Sequence, residues 1–572
     1  MNGLSKRLNR SGEGITLAVL LCVGFVLLGL PLGLLTVIGI APEGALTLGP
    51  LAEALDSRSV QRALVNSIDS SLFSALFATL AGGALALLIG LTDVRNKGPY
   101  VFLILLPMMI PPHVTAIAWI QALGPASPLL QWLGIAPEVG STHPLYSREG
   151  VIALLSLQHS PIAFLVVRAA LRNLPGELSD AARVFGARPG RMMGRVVLPL
   201  LLPNLIAAFA LSFVSAMGNF GIPALLGIPA RYTTMPVLIW RRLSSYGPDV
   251  LTNVAIIAVI IGMVAVLAVA IQMILQRRAE AALVGLPQRP LALRLGPARL
   301  PVEIGMSLLI AAVLVLPVLS LLATALVPTY GVRLSMDTVT LKNFSEILFS
   351  QTVTLRAFAN STLIAGIAAV LLGFFAIGLG YFMTRRKGSF ASRSTRSLST
   401  LADIAYAVPG LVISIACILA FIRPLPVIGV TFYNTLWIIL FAYLIAFLSI
   451  ALKPVAATYQ QMDSSLDDAA RVSGARFIRR MARVFLPMAA PAAASGALLV
   501  FLTAYNEVTV SALLWSTGNE TIGTTIFNYE DGGYTTLAAA MSAVTVVATV
   551  VLMLLLDRAG RHAPAGIVPW RD

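Results

Sequence analysis

Between Val254 and Ile271 the chain reads VAIIAVIIGMVAVLAVAI, without one polar side chain. A run like that confines its backbone to a helix in hydrocarbon, because every N–H and C=O must be satisfied within the segment. About 20 apolar residues cross a bilayer, and eleven more such segments can be found, centred near Leu28, Ala81, Leu106, Ile162, Ala210, Val315, Leu371, Ile413, Phe441, Leu502 and Val547. A β-barrel is excluded, since its strands alternate apolar and polar residues in ten-residue segments. Charged residues make up only 11% of the chain against 58% hydrophobic ones, and mean hydropathy is +0.87, far from soluble domains. The fold class expected is an all-α integral membrane protein with about twelve transmembrane helices.

Six segments precede an Arg- and Pro-rich stretch and six follow it. This divides the chain into a first repeat over 1–280, a linker over 281–303 and a second repeat over 304–572. The opening segment, Ile15 to Ile40, is longer than the apolar core of a cleavable signal peptide and is expected to be a retained anchor, with the chain starting near Met1.

Duplication is visible in the residues. Asp180-Ala181-Ala182-x3-Gly186 recurs as Asp468-Ala469-Ala470-x3-Gly474, and Leu-Pro follows each glycine at one spacing, as Leu198-Pro199 and Leu486-Pro487. Asn66-Ser67 is echoed by Asn360-Ser361, and a Pro-bearing element, LPMMIPPHV at 106–114, by IAYAVPGLV at 404–412. The stretch GNFGIPALLG at 218–227 pairs loosely with YNEVTVSALL at 505–514, setting Asn219 and Phe220 beside Asn506 and Glu507. An even number of spans per repeat inserts both in the same sense. The expected symmetry is therefore a pseudo-twofold along the membrane normal, with one central pathway between the halves.

Positive charge resists translocation. With the N-terminus inside, thirty of the 40 Lys and Arg fall in cytoplasmic connections, so both termini and both motif copies are expected in the cytoplasm. The net charge of +15 is then topology, and nucleic acid is not an expected partner. Cys22 and Cys417 lie in separate spans and read as packing residues. His113, His143, His159 and His562 show no metal-ligand spacing.

In the motif, a carboxylate opens a short amphipathic helix where it meets N-terminal amides, Ala-Ala offers a flat face, and glycine permits the closing turn. Interfacial helices with snorkelling arginines would explain one copy, but not two at matched spacing. At these residues the chain resembles the inner-membrane permease component of binding-protein-dependent ABC importers, whose signature is a Glu-Ala-Ala-x3-Gly loop; here Asp replaces Glu in both copies. The resemblance implies that Asp180, Ala181, Ala182 and Gly186 in loop 172–199, with Asp468, Ala469, Ala470 and Gly474 in loop 453–487, couple to ATPase subunits. It also implies an external substrate-binding protein. Two ATPase chains, a homodimer by expectation, would hold ATP and magnesium, because Gly-Lys, part of any phosphate-cradling loop, never occurs here. This chain would be non-catalytic and carry no cofactor of its own.

The fused six-plus-six layout looks most like the ferric-iron branch of that family. Importers of 2-aminoethylphosphonate, thiamine, polyamine and sulfate share the architecture, so the solute stays open. Asn219, Phe220, Asn506 and Glu507 are the candidate pathway or gate, since polar groups at membrane depth tend to face a cavity. Gln158, His159 and His113 are expected in helix–helix hydrogen bonds. Arg231, Arg241, Arg242, Glu520, Glu530 and Asp531 form the expected docking surface for the binding protein. An ion-coupled secondary transporter is the alternative class, but it would leave the doubled motif without a role.

Overall fold

The computed structural model describes residues 2–41, 47–138, 140–172, 174, 177, 181, 184–186, 188–245, 249–279, 293–385, 389–424, 429–463 and 465–559. Among these, every long element is a helix. The first repeat contains α1 (Asn2–Ile40), α2 (Arg58–Leu91), α3 (Lys97–Met109), α4 (Pro112–Leu123), α5 (Arg148–Arg172), α6 (Leu198–Gly218), α7 (Met235–Leu243) and α8 (Val250–Ala279). The second contains α9 (Arg299–Ile310), α10 (Leu316–Ala325), α11 (Thr352–Arg385), α12 (Phe390–Ala407), α13 (Gly410–Phe421), α14 (Leu436–Gln461), α15 (Ser465–Val472), α16 (Leu486–Tyr505), α17 (Ile522–Asp531) and α18 (Thr535–Ala559).

Ten helical segments are long and apolar enough to cross a membrane, and the number reaches twelve when two bent pairs are each counted as one span. Those pairs are the third segment of each repeat. The chain turns by 99° after α3 and by 114° between α12 and α13. Proline causes both bends: Pro111 and Pro409 cap α4 and α13 with φ −56°, ψ 138° and φ −52°, ψ 139°. A proline has no N–H for the preceding turn and pushes the chain out of helix. Pro111 thereby frees the Pro107 carbonyl, which Gln158 takes up from α5 through Nε2 at 3.0 Å, together with that of Ile110 at 3.2 Å. Gln158 thus makes the helix–helix bond expected of it. His159 instead bonds Leu155 O of its own helix, and His113 is fully buried with neither ring nitrogen partnered.

The first helices are exchanged. α1 leaves its own repeat to pack on α12 and α13 as well as on α8, with Gly24 so close to Leu398 that a methyl group would not fit. Conversely, α10 lies against α4 of the first repeat, and Tyr100 of α3 meets Ser307 of α9 at 2.8 Å. Next to this contact Leu293 N donates to Leu91 O at 2.6 Å, and Glu303 accepts Arg95 N at 2.8 Å. The repeats are contiguous in sequence but interlocked in space. Cys417 is buried as expected, whereas Cys22 is exposed on the outer side of α1.

Candidate functional site

Both motif copies end in a glycine that adopts the left-handed backbone other residues avoid: φ is +69° at Gly186 and +75° at Gly474. In the second copy, Ala475 N donates to Ala470 O at 3.1 Å and Gly474 N to Arg471 O at 3.0 Å, the paired closure that stops a helix with its last carbonyls satisfied. Asp463 accepts Ser465 N at 2.9 Å at the other end of α15. Between them Asp468 and Ala469 are exposed, Ala470 is half-buried, and Val472 projects outward. In the first copy Ala181, Val184, Phe185 and Gly186 are all exposed; Asp180 and Ala182 lie outside the described residues. An exposed apolar tip beside a polar helix is a surface built to be covered.

Sequence reasoning passed over Asp467. Its carboxylate turns inward to Arg471 Nη2 at 2.5 Å and to Arg480 Nε at 3.0 Å, and Arg480 is only 2% exposed. Phe477, Tyr381, Tyr459 and Phe485 wall this pair in, with Tyr381 central to the other three. The repeat offered the signal, because the first copy has Ser179 and Met192 at these two register positions.

The Leu-Pro spacing also acquires a physical reason. Each pair follows a five-residue π-helical turn, Met193–Val197 or Met481–Phe485, closed by Leu198 N to Met193 O and by Leu486 N to Met481 O. The proline ring crowds the carbonyl four residues back, and the wider turn makes room for it. A third such turn, Ala311–Val315, stands before Leu316-Pro317. The two motif segments therefore join α6 and α16 through the same widened turn.

The candidate gate lies where the repeats meet. Asn219 Oδ1 accepts Ile222 N at 3.2 Å, and Glu507 Oε1 accepts Val510 N at 2.6 Å with Oε2 on Ser511 N at 3.2 Å. The sequence pairing of Asn219 with Asn506 is thus off by one: Asn219 and Glu507 do the same job, holding the amide three residues on. Spent on backbone amides, the Glu507 carboxylate is a cap. Asn506 instead reaches across to Met109 O at 2.8 Å, at the bend of the other repeat. Gly218 returns the contact, lying so close to Pro409 that an added methyl would sit 3.3 Å from its Cα. Phe220, fully buried, packs against Trp240 and, across the repeats, against Phe527 at a ring separation of 5.2 Å.

At the end away from the motif, Asn66 Nδ2 bonds Thr233 O at 3.0 Å and Ser67 Oγ accepts Met235 N at 2.7 Å. The second repeat matches this with Asn360 to Glu520 O at 3.0 Å and Ser361 to Ile522 N at 2.9 Å. Each Asn-Ser pair fastens the first turn of a short helix, α7 or α17. Of the expected docking residues, Arg231, Arg241 and Asp531 are exposed, and Arg242 is tied to Ser59. Glu520 is 5% exposed and paired with Arg356 at 2.9 Å, so it is an internal tether with no carboxylate to offer a partner. Glu530 Oε2 is enclosed without a hydrogen-bond partner, and burial pushes its carboxyl up to about 7. Among the described residues, no group of three or more His, Cys, Asp and Glu could hold a metal ion.

The family model for a binding-protein-dependent transport system inner membrane component matches twice, over residues 82–281 and 376–566. The two matches begin at the same separation as Asn66 and Asn360. A probable ABC transporter permease protein of Sinorhizobium fredii is 24% identical, the match covering 82% of each chain. A putative ferric transport system permease protein of Haemophilus influenzae is 25% identical over 80% of this chain and 70% of its own length. A probable molybdenum ABC transporter permease protein of Haloferax volcanii is 30% identical over 47% of this chain and 93% of its own.

Proposed function

This chain belongs to the family of binding-protein-dependent transport system inner membrane components, and from that premise we propose that it forms the whole translocation pathway of an ATP-driven importer. What carries this reading is the pair of coupling segments, each closed by a left-handed glycine and joined to its membrane helix by a π turn. Asp180, Ala181, Ala182, Asp468, Ala469 and Ala470 are then the faces on which two ATPase subunits seat. ATP and magnesium belong to those subunits. Both motif copies and both termini lie in the cytoplasm, and Arg231, Arg241 and Asp531 are left to meet an external binding protein.

The finer reading is a ferric importer. It is supported by relatives that run through both repeats: besides the Haemophilus protein, a ferric transport system permease protein of Actinobacillus pleuropneumoniae is 23% identical over 87% of this chain. The molybdenum relative matches about half the chain. The test is to purify the chain with its co-expressed ATPase and binding protein and measure ATP hydrolysis in lipid. Stimulation by the binding protein should vanish in Ala470→Glu and fall in Ala182→Glu. Wild-type behaviour of both would refute the coupling role.

A further inference from the structure

The two bent segments share a backbone course but not a chemistry. α3 reads KGPYVFLILLPMM, whereas α12 reads FASRSTRSLSTLADIAYA, with six Ser or Thr, two Arg and one Asp. Its apolar and small residues Thr395, Leu398, Ala402 and Ala405 are buried, Leu398 against Gly24 of α1. The opposite face, Arg393, Arg396, Thr400, Asp403 and Tyr406 at helical spacing, is exposed. Because α1 covers the buried face of α12, the charged face looks away from it. Tyr406, the last residue of that face before the Pro409 bend, is 39% exposed.

From α14, Lys453 joins this face. Its Nζ lies 3.4 Å from Asp403 Oδ1 and 5.8 Å from the Tyr406 ring, while Ser449 Oγ donates to the same Oδ1 at 2.5 Å. Lys453 and Asp403 keep 63% and 49% of their side chains accessible. A lysine this far inside the end of a spanning helix is costly unless it faces water, and the first repeat has Leu165 at the register position. Asp403 balances Lys453. Arg393 and Arg396 have no acidic partner among the described residues, so the exposed face carries a net charge of two positive units.

We propose that this face of α12, with Lys453, lines a water-filled passage selective for a cargo of net negative charge, a small solute presenting oxygen atoms. The proposal rests on the importer reading and narrows its solute. A free oxyanion or phosphonate satisfies the chemistry, and so does ferric iron carried as an anionic complex; bare ferric ion does not. Positive charges concentrated at a low-dielectric wall raise the local concentration of anions and deplete cations.

The test needs no knowledge of the cargo. In the ATPase-bound complex carrying Cys22→Ala and Cys417→Ala, a thiol at Thr400→Cys is titrated with anionic ethylsulfonate and cationic ethyltrimethylammonium methanethiosulfonates. Rates are normalised to a free thiol. The anionic reagent should be favoured about five- to tenfold, as two unit charges within a Debye length require. Arg393→Gln with Arg396→Gln should erase that preference. Equal rates, a cationic preference, or no reaction with either charged reagent overturns the proposal. Failure of the importer reading shows separately, as absent stimulation of ATP hydrolysis. Uptake by proteoliposomes then separates the sources. Accumulation of sulfate or 2-aminoethylphosphonate marks a free anion and accumulation of ferric citrate a complex, whereas iron uptake indifferent to any anion counts against the idea.

Discussion

The two motif segments share a left-handed glycine and a π turn but are held in two different ways. In both, a left-handed glycine ends the short helix, a π turn follows, and Leu-Pro starts the next helix. Beneath the second segment lies a buried ion pair, Asp467 with Arg480, inside a ring of Tyr381, Tyr459, Phe477 and Phe485. Beneath the first are Met192, Leu171 and Val197, all buried and apolar. Duplication has preserved what sets direction and let the anchoring chemistry drift. A backbone course must match the partner it presents itself to, whereas an interior needs only to be filled and satisfied.

The sharpest way to break this comparison is to convert one anchor into the other. Asp467→Ser alone strands the buried Arg480 guanidinium and should destabilise the protein by about 3–5 kcal/mol, while Asp467→Ser with Arg480→Met, copying the first repeat, should come within about 1 kcal/mol of wild type. Thermal unfolding in detergent reads both; a double variant as unstable as the single one would mean the anchors are not equivalent. Next in size, Gly186→Ala and Gly474→Ala should each cost about 1–2 kcal/mol for forcing a side chain into left-handed backbone. Equal losses would confirm that geometry is the shared part.

Smaller still, Ser67→Ala and Ser361→Ala should each cost about 1 kcal/mol, by leaving Met235 N and Ile522 N without an acceptor. Matching shifts in melting temperature extend the comparison to the far end of the bundle. A contrast of another kind concerns Glu530, which has no like residue in the first repeat. Its folded carboxyl titrates at about 7, above the usual value of 4.5, so the folded state holds the proton more tightly. Stability should therefore be greatest below about pH 4.5 and decline as pH rises toward 7. Glu530→Gln should flatten that slope in melts taken across the range.

Much of this was legible in the residues because membrane helices announce themselves by length and a repeat by its spacing. All twelve apolar segments reappear, and Asn66-Ser67 and Asn360-Ser361 proved to be matched fasteners. The bends at Pro111 and Pro409 were visible as proline but not as turns of about a right angle, since a kink angle depends on what the freed carbonyls find, here Gln158. Asp467 was hidden by its neighbour. Two adjacent carboxylates on a helix differ by about 100° in direction, and nothing in Asp467-Asp468 says which one points in. Asn219 was aligned with the wrong residue because amide resembled amide, although a glutamate caps as well. Glu520 was read as surface charge, and only its pairing with Arg356 from a distant helix reveals otherwise.

The crossing of the first helices has a consequence in time. α1 emerges from the ribosome first, yet α12 and α13, on which it rests, follow only after about 350 further residues. At about 5–20 residues per second the interval is on the order of tens of seconds. Throughout it the part of α1 that will meet α12 and α13 stands in lipid, which hydrocarbon tolerates because acyl chains are as apolar as its leucines. The last act of assembly is then a closing of two arms, each half completing the other. A chain cut at the linker would have to find by diffusion what fusion guarantees by birth.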